Sequence, residues 1–275
     1  MSLYTVIGGN GFIGSELVSL LKSAGKDVYA PKRDCLDIFD KELGVVFYCA
    51  GFGECNKEPF NVLEANTVLL SDILKKSNFK RLIYISSTRV YIGQSNSEES
   101  ADLVISHNDD RRLFNLTKLV SEELCLKSNK DCLIVRPSNV YGLALNSPLF
   151  LPSIVKDAVL NQEINMFVTK EYSKDYVSVK SLVKMLVKLS DYSGKHKVVN
   201  IAAGRNTSAI EIIKAIQEEQ DCNINWMRDV KDEFFPETSV KLCNSLVTFV
   251  ESDVLSDIKS MVKEFKLNLI DRKND

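Results

Sequence analysis

Three glycines, Gly8, Gly11 and Gly14, punctuate "VIGGNGFIG" at intervals of three. A β-branched run precedes them and a helix-forming run follows. That context places a tight turn at a helix N-terminus, where backbone N–H groups and the positive end of the helix dipole can hold a pyrophosphate. Further on, "DVYAPKRD" ends in the cations Lys32 and Arg33. Two cations at the end of a second strand suit a ribose 2′-phosphate, because a guanidinium grips phosphate through paired hydrogen bonds; solvated loop charges are the alternative. Asp37 is placed to face the adenine edge. A third constellation lies in "RRLFNLTKLVSEE", where Phe114, Lys118 and Glu122 recur every four residues and share one face of a helix.

These groups need a scaffold, and the sequence supplies one. Short apolar runs ("LYTVIG", "GVVFYCAG", "RLIYISS", "CLIVRP") alternate with helix-length segments. Alternation of this kind predicts crossover units and a parallel sheet covered on both faces. The interval from Ala30 to Val45 is too short for a full crossover helix, so the sheet is expected to be abbreviated there. "GQSNSEESADLVISHNDDRR" reads as an exposed loop bordering a cleft.

The chain has 275 residues, 45% hydrophobic and 26% charged, enough for one large α/β domain with a small appended lobe. A net charge of -2 without a basic stripe argues against nucleic acid as partner. No apolar run is long enough for a membrane span, and no leader peptide is evident. The seven scattered cysteines lack a C-x-x-C pair, which suits reduced thiols and a cytoplasmic location. Only His107 and His196 are present, without ligand-like neighbours, so no metal site is expected.

Taken in order, "GGNGFIG", "YCAG", "EANTVLLSDIL", "LIYISSTRVY", "TKLVSE", "LIVRPSNVYG", "KDYVSVKSLVKML" and "VVNIAAG" resemble the extended short-chain dehydrogenase/reductases, in their nucleotide-sugar epimerase/dehydratase/reductase branch. The resemblance covers roughly residues 3 to 215. It implies an α/β fold with a Rossmann-type doubly wound parallel sheet and a small mixed C-terminal substrate lobe. Residues 1–145, with 176–205 returning to them, would bind NADP(H), NAD being the alternative. Residues 146–175 and 206–275 would form the substrate lobe. The implied substrate is a nucleotide-diphosphate sugar, and a homodimer is expected.

Residue by residue, the resemblance assigns cofactor contacts to Gly8, Gly11, Phe12, Ile13, Gly14, Ala50, Gly51, Asn66 and Lys118, beside Lys32, Arg33 and Asp37. Counting back four from Tyr91 gives Ser87 as the hydroxyl that orients the reacting oxygen. Thr88 and Arg89 stand where 4,6-dehydratases keep an Asp and a Glu, which argues against a dehydratase. Asn139 and Lys174 would meet the substrate diphosphate, with Thr88 and Ser87 near the sugar; Lys174 replaces the family's usual arginine.

One position departs from the pattern. The family's acid/base is a tyrosine four residues before the lysine, and this chain has Phe114. The resemblance implies an epimerase or ketoreductase, which share one catalytic triad. Three readings of Phe114 stay open: an exchange that traps an otherwise active enzyme, a natural member in which water, Ser87 or a substrate group relays the proton, and a nucleotide-binding regulator or scaffold without turnover.

Overall fold

The structure, a computed structural model, describes residues 2–143, 149–227, 232–248 and 253–274. The chain opens with β1 (Leu3–Ile7), α1 (Phe12–Ser23) and β2 (Asp27–Tyr29). It continues through β3 (Val45–Tyr48), α2 (Pro59–Leu63), α3 (Leu69–Lys76), β4 (Arg81–Ile85), α4 (Arg112–Lys127) and β5 (Cys132–Pro137). Then come β6 (Asn139–Tyr141), α5 (Phe150–Asn161), β7 (Glu163–Met166), β8 (Ser173–Ser178), α6 (Val179–Ser190) and β9 (Val198–Ile201). The last elements are β10 (Asn206–Ser208), α7 (Ala209–Gln217), β11 (Asn223–Trp226), α8 (Lys241–Leu246) and α9 (Val254–Asn274).

Six strands form one sheet in the order β2-β1-β3-β4-β5-β9, every neighbouring pair parallel. β3, β4 and β5 are buried along their whole length, as a sheet covered on both faces requires. One face packs against α1, α6 and α8 through Leu17, Leu182, Leu186 and Cys243; the other packs against α3 and α4 through Leu70, Ile73 and Cys125. The winding direction reverses between β1 and β3, so their carboxyl ends flank the crevice where doubly wound sheets bind ligands. The abbreviation expected after β2 is present: a single 3-10 turn, Leu36–Phe39, replaces the crossover helix.

The second unit has its own apolar core, with Ile154, Val155, Met166, Ile212, Ile258 and Val262 from α5, β7, α7 and α9. β8 pairs parallel with β6 and antiparallel with β10, while β7 pairs with β11. A capping box, Ser208 with Glu211, starts α7. Two elements lie across the division expected from the sequence. β6 belongs to the sheet of the lobe because it pairs with β8, and α8 belongs to the cofactor unit because Leu242, Cys243 and Leu246 pack on its core. Among the described residues no helix is long and apolar enough to cross a membrane, and no cluster of His, Cys, Asp and Glu could hold a metal.

Candidate active site

Gly8 has φ +80°, and a Cβ on it would lie 2.7 Å from the Ala50 nitrogen. On Gly14 a Cβ would meet the Gly8 carbonyl oxygen at 2.2 Å. The loop therefore closes on itself and on the end of β3 so tightly that only glycine fits, and Gly11 caps α1 with its N–H bonded to the Gly8 carbonyl at 2.9 Å. This is a backbone cradle of the kind that admits a dinucleotide pyrophosphate. Ala30, at the end of β2, borders the loop: its Cβ would stand 2.9 Å from a Cβ on Gly9. Lys32, Arg33 and Asp37 follow it, all exposed, and Asp37 forms an ion pair with Lys41 at 2.7 Å.

From this loop a cleft of about 340 Å³ runs across the carboxyl ends of the strands. Gly11, Phe12 and Ile13 line one end, Cys49, Ala50 and Gly51 the next, then Ser86 to Arg89 after β4. Arg111, Phe114 and Lys118 come from the start of α4, and Asn139, Lys174 and Phe235 form the wall contributed by the lobe side. Ser87, Phe114, Lys118, Thr88, Asn139 and Lys174, singled out in the sequence, thus share one cleft.

Lys118 is buried (4% exposed) and donates to the Ile85 carbonyl at 2.9 Å. Its ammonium lies 5.1 Å from the Tyr84 ring centre and 5.6 Å from that of Phe114. A Cβ on Gly51 would be only 3.4 Å from its Nζ, so the lysine head rests against the glycine backbone after β3. Burial lowers its pKa to about 8, against the pull of Glu122 and Cys49. Cys49 is pushed up to about 12 by the same burial and stays a thiol. Ser87 caps the turn Thr88–Tyr91 by accepting the Arg89 N–H at 3.1 Å, which leaves its hydroxyl proton free to point into the cleft.

Asn66 sits in a π-helical turn, Glu64–Val68, between α2 and α3. Its amide accepts from the Phe52 N–H at 3.0 Å and donates to the Phe52 carbonyl at 3.1 Å and to Thr117 Oγ1 at 3.0 Å. It is fully buried and its side chain is committed to protein, joining the Gly51–Phe52 loop to α4. Where a cofactor contact was expected of it, its three side-chain bonds tie the start of α4 to the loop after β3.

Glu122 faces away from the cleft, into the protein. It takes a bidentate bond from Arg136, at 2.9 Å from Nε and 2.5 Å from Nη2, and accepts from Ser86 Oγ at 2.5 Å. Arg136 also donates to the Tyr91 hydroxyl at 2.6 Å, which donates to Asn200 at 2.9 Å. Although burial opposes charge, the Glu122 carboxylate holds Arg136 above the ordinary arginine value. Arg136 thus locks α4 to β5 beneath the site.

Several contributors were not evident from the sequence. Arg89 pairs with Asp109 at 2.7 Å and with Glu233 at 2.6 Å, and Lys174 reaches Glu233 at 3.7 Å. Burial lowers Lys174 to about 8, and Arg89 and Arg111 push the same way against Glu233. The segment before α4, expected as an exposed loop, packs inward in part: the Asp109 side chain is 4% exposed and Ser97 is buried. Asp175 accepts from the N–H groups of Ala203, Gly204 and Arg205 at 2.9, 2.7 and 3.0 Å. The motif "KDYVSV" marks its position but not this use.

A parallel sheet with a glycine cradle at its switch point and a hydroxyl–lysine pair in the adjoining cleft define a dinucleotide-dependent α/β enzyme fold. Residues 4–202 match the NAD dependent epimerase/dehydratase family, and the chain belongs to that family. It is 26% identical, over an alignment 306 positions long, to the putative UDP-glucose 4-epimerase of Methanocaldococcus jannaschii, covering 96% of this chain and 98% of that protein. It is 25% identical to the spore coat polysaccharide biosynthesis protein SpsK of Bacillus subtilis, with 80% of each covered. Among solved structures, the epimerase Mth375 of Methanothermobacter thermautotrophicus superposes with TM-score 0.84 at 18% identity, covering 100% of this chain and 95% of that one. A tyrosine-to-phenylalanine mutant of the Bacillus cereus UDP-glucuronic acid 4-epimerase, holding a fluorinated UDP-sugar and NAD, superposes with TM-score 0.82 at 17% identity, covering 97% and 99%. These likenesses establish the shared fold.

Proposed function

We propose that this chain binds a nicotinamide dinucleotide and a nucleoside-diphosphate sugar in the cleft, as an epimerase or ketoreductase site whose acid/base position is held by Phe114. The observation that carries this reading is the placement of Lys118, Phe114 and Ser87 around one cavity that begins at the glycine cradle. The names of its relatives support the substrate class: a putative UDP-glucose 4-epimerase by sequence, and by fold MoeE5, solved with UDP-glucuronic acid and NAD.

The residues fit the cofactor. The cradle of Gly8, Gly11 and Gly14 takes its pyrophosphate, and Lys118 and Gly51 stand where its nicotinamide ribose would rest. When bound, the nicotinamide accepts or returns the hydride of the sugar carbon. Ser87 holds the sugar oxygen, Asn139 and Lys174 meet the diphosphate, and the buried ammonium of Lys118 stabilises negative charge developing on that oxygen. Phe114 keeps the ring that packs under the sugar and lacks the hydroxyl that would carry the proton. Loss of a general acid/base lowers rates by roughly 10²–10⁴-fold, so turnover in this chain relies on water, Ser87 or the substrate itself as the relay. Phe114 equally favours a second reading, a nucleotide-binding regulator of the same fold.

Lys32 and Arg33, exposed beside the loop, favour the 2′-phosphorylated cofactor. Exposed Phe60 and Leu63 on α2, with Leu116 and Val120 on the adjacent α4, favour a second copy of the chain against that face. Calorimetric titration decides the central point. NAD⁺ or NADP⁺ is titrated first, then UDP-sugars with cofactor present. Binding of both supports a sugar-nucleotide site, and binding of cofactor alone supports the regulator. Tightly retained oxidised cofactor points to an epimerase, and exchangeable reduced cofactor to a reductase.

A further inference from the structure

The cleft is lined by four cations, Arg89, Arg111, Lys118 and Lys174, and by no carboxylate among the described residues. Three of the four are engaged within the protein. Arg89 is held between Asp109 and Glu233, Lys118 donates to a carbonyl, and Lys174 leans on Glu233. Arg111 differs. Among the described residues no carboxylate lies within ion-pair distance of its guanidinium and no acceptor within hydrogen-bond distance, although its backbone N–H is bonded to Asp109 at 2.9 Å. The head group stacks over the Phe114 ring, 4.7 Å from its centre. Gly53 lies beside both groups: a Cβ there would come within 2.9 Å of Nη2 and 3.9 Å of Phe114 Cδ2.

A planar guanidinium thus lies over an aromatic face with a glycine at its edge, on an exposed residue of the cleft, with its donors left for a ligand. Although the residue as a whole is exposed, the protein crowded around its head group, and then the repulsion of the nearby Arg89, pull its pKa down from the ordinary arginine value, and an incoming anion relieves that repulsion. Arginine keeps its charge throughout the working range, and its fork matches two oxygens in one plane. In the sugar-nucleotide reading the diphosphate falls to Asn139 and Lys174, which leaves Arg111 for a group carried by the sugar. Its guanidinium lies over the Phe114 ring, which in that reading borders the sugar.

We infer that Arg111 is a specificity residue for a carboxylate on the sugar, so that the substrate class is a nucleoside-diphosphate hexuronate or a similarly acidic sugar rather than a neutral hexose. This inference rests on the sugar-nucleotide reading above.

The test compares UDP, a UDP-hexose and the corresponding UDP-hexuronate by calorimetric titration, with whichever of NAD⁺ and NADP⁺ binds more tightly present at saturation, on the native chain and on Arg111→Gln and Arg111→Lys. A charge-assisted bidentate pair is worth about 10- to 100-fold in Kd. The hexuronate is therefore expected to bind the native chain at least about tenfold tighter than the hexose. That preference should fall to near one in Arg111→Gln and return only in part in Arg111→Lys, which keeps charge without the fork. Unchanged Tm and cofactor affinity show that each variant is folded. Equal affinity of the native chain for hexose and hexuronate would overturn the inference, as would a preference that survives Arg111→Gln; in either case UDP binding would leave the sugar-nucleotide reading intact. If neither UDP nor any UDP-sugar binds while cofactor does, both fall together.

Discussion

The ammonium of Lys118 lies 5.6 Å from the centre of the Phe114 ring, one helical turn away on the same face of α4. A hydroxyl added to that ring would enter the field of a buried lysine and of the Arg111 guanidinium stacked above. Both cations stabilise a phenolate and lower its pKa toward the range where general acid/base catalysis is effective.

Phe114→Tyr is therefore expected to raise turnover by about 10²–10⁴-fold with little change in substrate Kd, since the hydroxyl matters mainly in the transition state. The packing cost is modest, because the ring is half-buried and already borders the cleft. Cofactor absorbance and product analysis, run side by side on the two forms, check it. A tyrosine form that binds both ligands and stays inert would favour the regulator.

Lys118 makes stability depend on pH in a defined direction. Its pKa is about 8 in the folded chain and 10.5 when unperturbed. Between those values the unfolded chain holds more protons, so stability rises with pH; below about pH 8 the lysine is charged in both states and burial of that charge costs stability. Lys174 acts in the same sense. Replacing Lys118 by Met should lower the slope of unfolding free energy between pH 8 and 10 by up to about 1.4 kcal/mol per pH unit. Urea titrations at several pH values measure it, and parallel slopes in the two proteins would contradict the assignment.

The Glu122–Arg136 pair is buried on both sides, with side chains 4% and 5% exposed. Removing one partner leaves the other charge without compensation, so Arg136→Met should cost about 3–5 kcal/mol. Substituting both residues by apolar ones of similar volume should cost much less. Chemical denaturation of the single and double variants separates these outcomes.

In the cradle, Gly14→Ala brings a methyl group against the Gly8 carbonyl at 2.2 Å, so the loop must open. Cofactor affinity is expected to fall by at least about 100-fold, roughly 2.7 kcal/mol, while the lobe with its separate core stays folded. Equilibrium dialysis of the cofactor together with a thermal melt provides the check.

Much of this arrangement was legible locally. The glycine spacing, the buried strands, the short link after β2 and the Lys118 face of α4 are periodic or punctuated patterns, and each lies within one stretch of chain. What stayed hidden depends on topology. Arg136 and Glu122 come from different elements, Arg89 meets Glu233 from 144 residues away, and Asn66 reaches Thr117 across 51. Arg111, at the start of its helix, meets Gly53 from the loop after another strand. The allocation of β6 and α8 between the two units was likewise decided by their partners, because three- and six-residue segments carry too little pattern of their own.

Asp175 sits on β8, and the three N–H groups it accepts belong to the turn that carries the chain from β9 to β10. β9 is the last strand of the large sheet and β10 joins the sheet of the lobe. The bond between Asn139 and the Asp175 carbonyl ties a further crossing, where the chain leaves β5 for β6, to the same residue. Two passages of the backbone between the two halves of the molecule are thus fastened at one carboxylated position. Asp175 thereby links the two halves that border the cleft, and under the proposed function a change there is expected to alter the fit of both ligands at once.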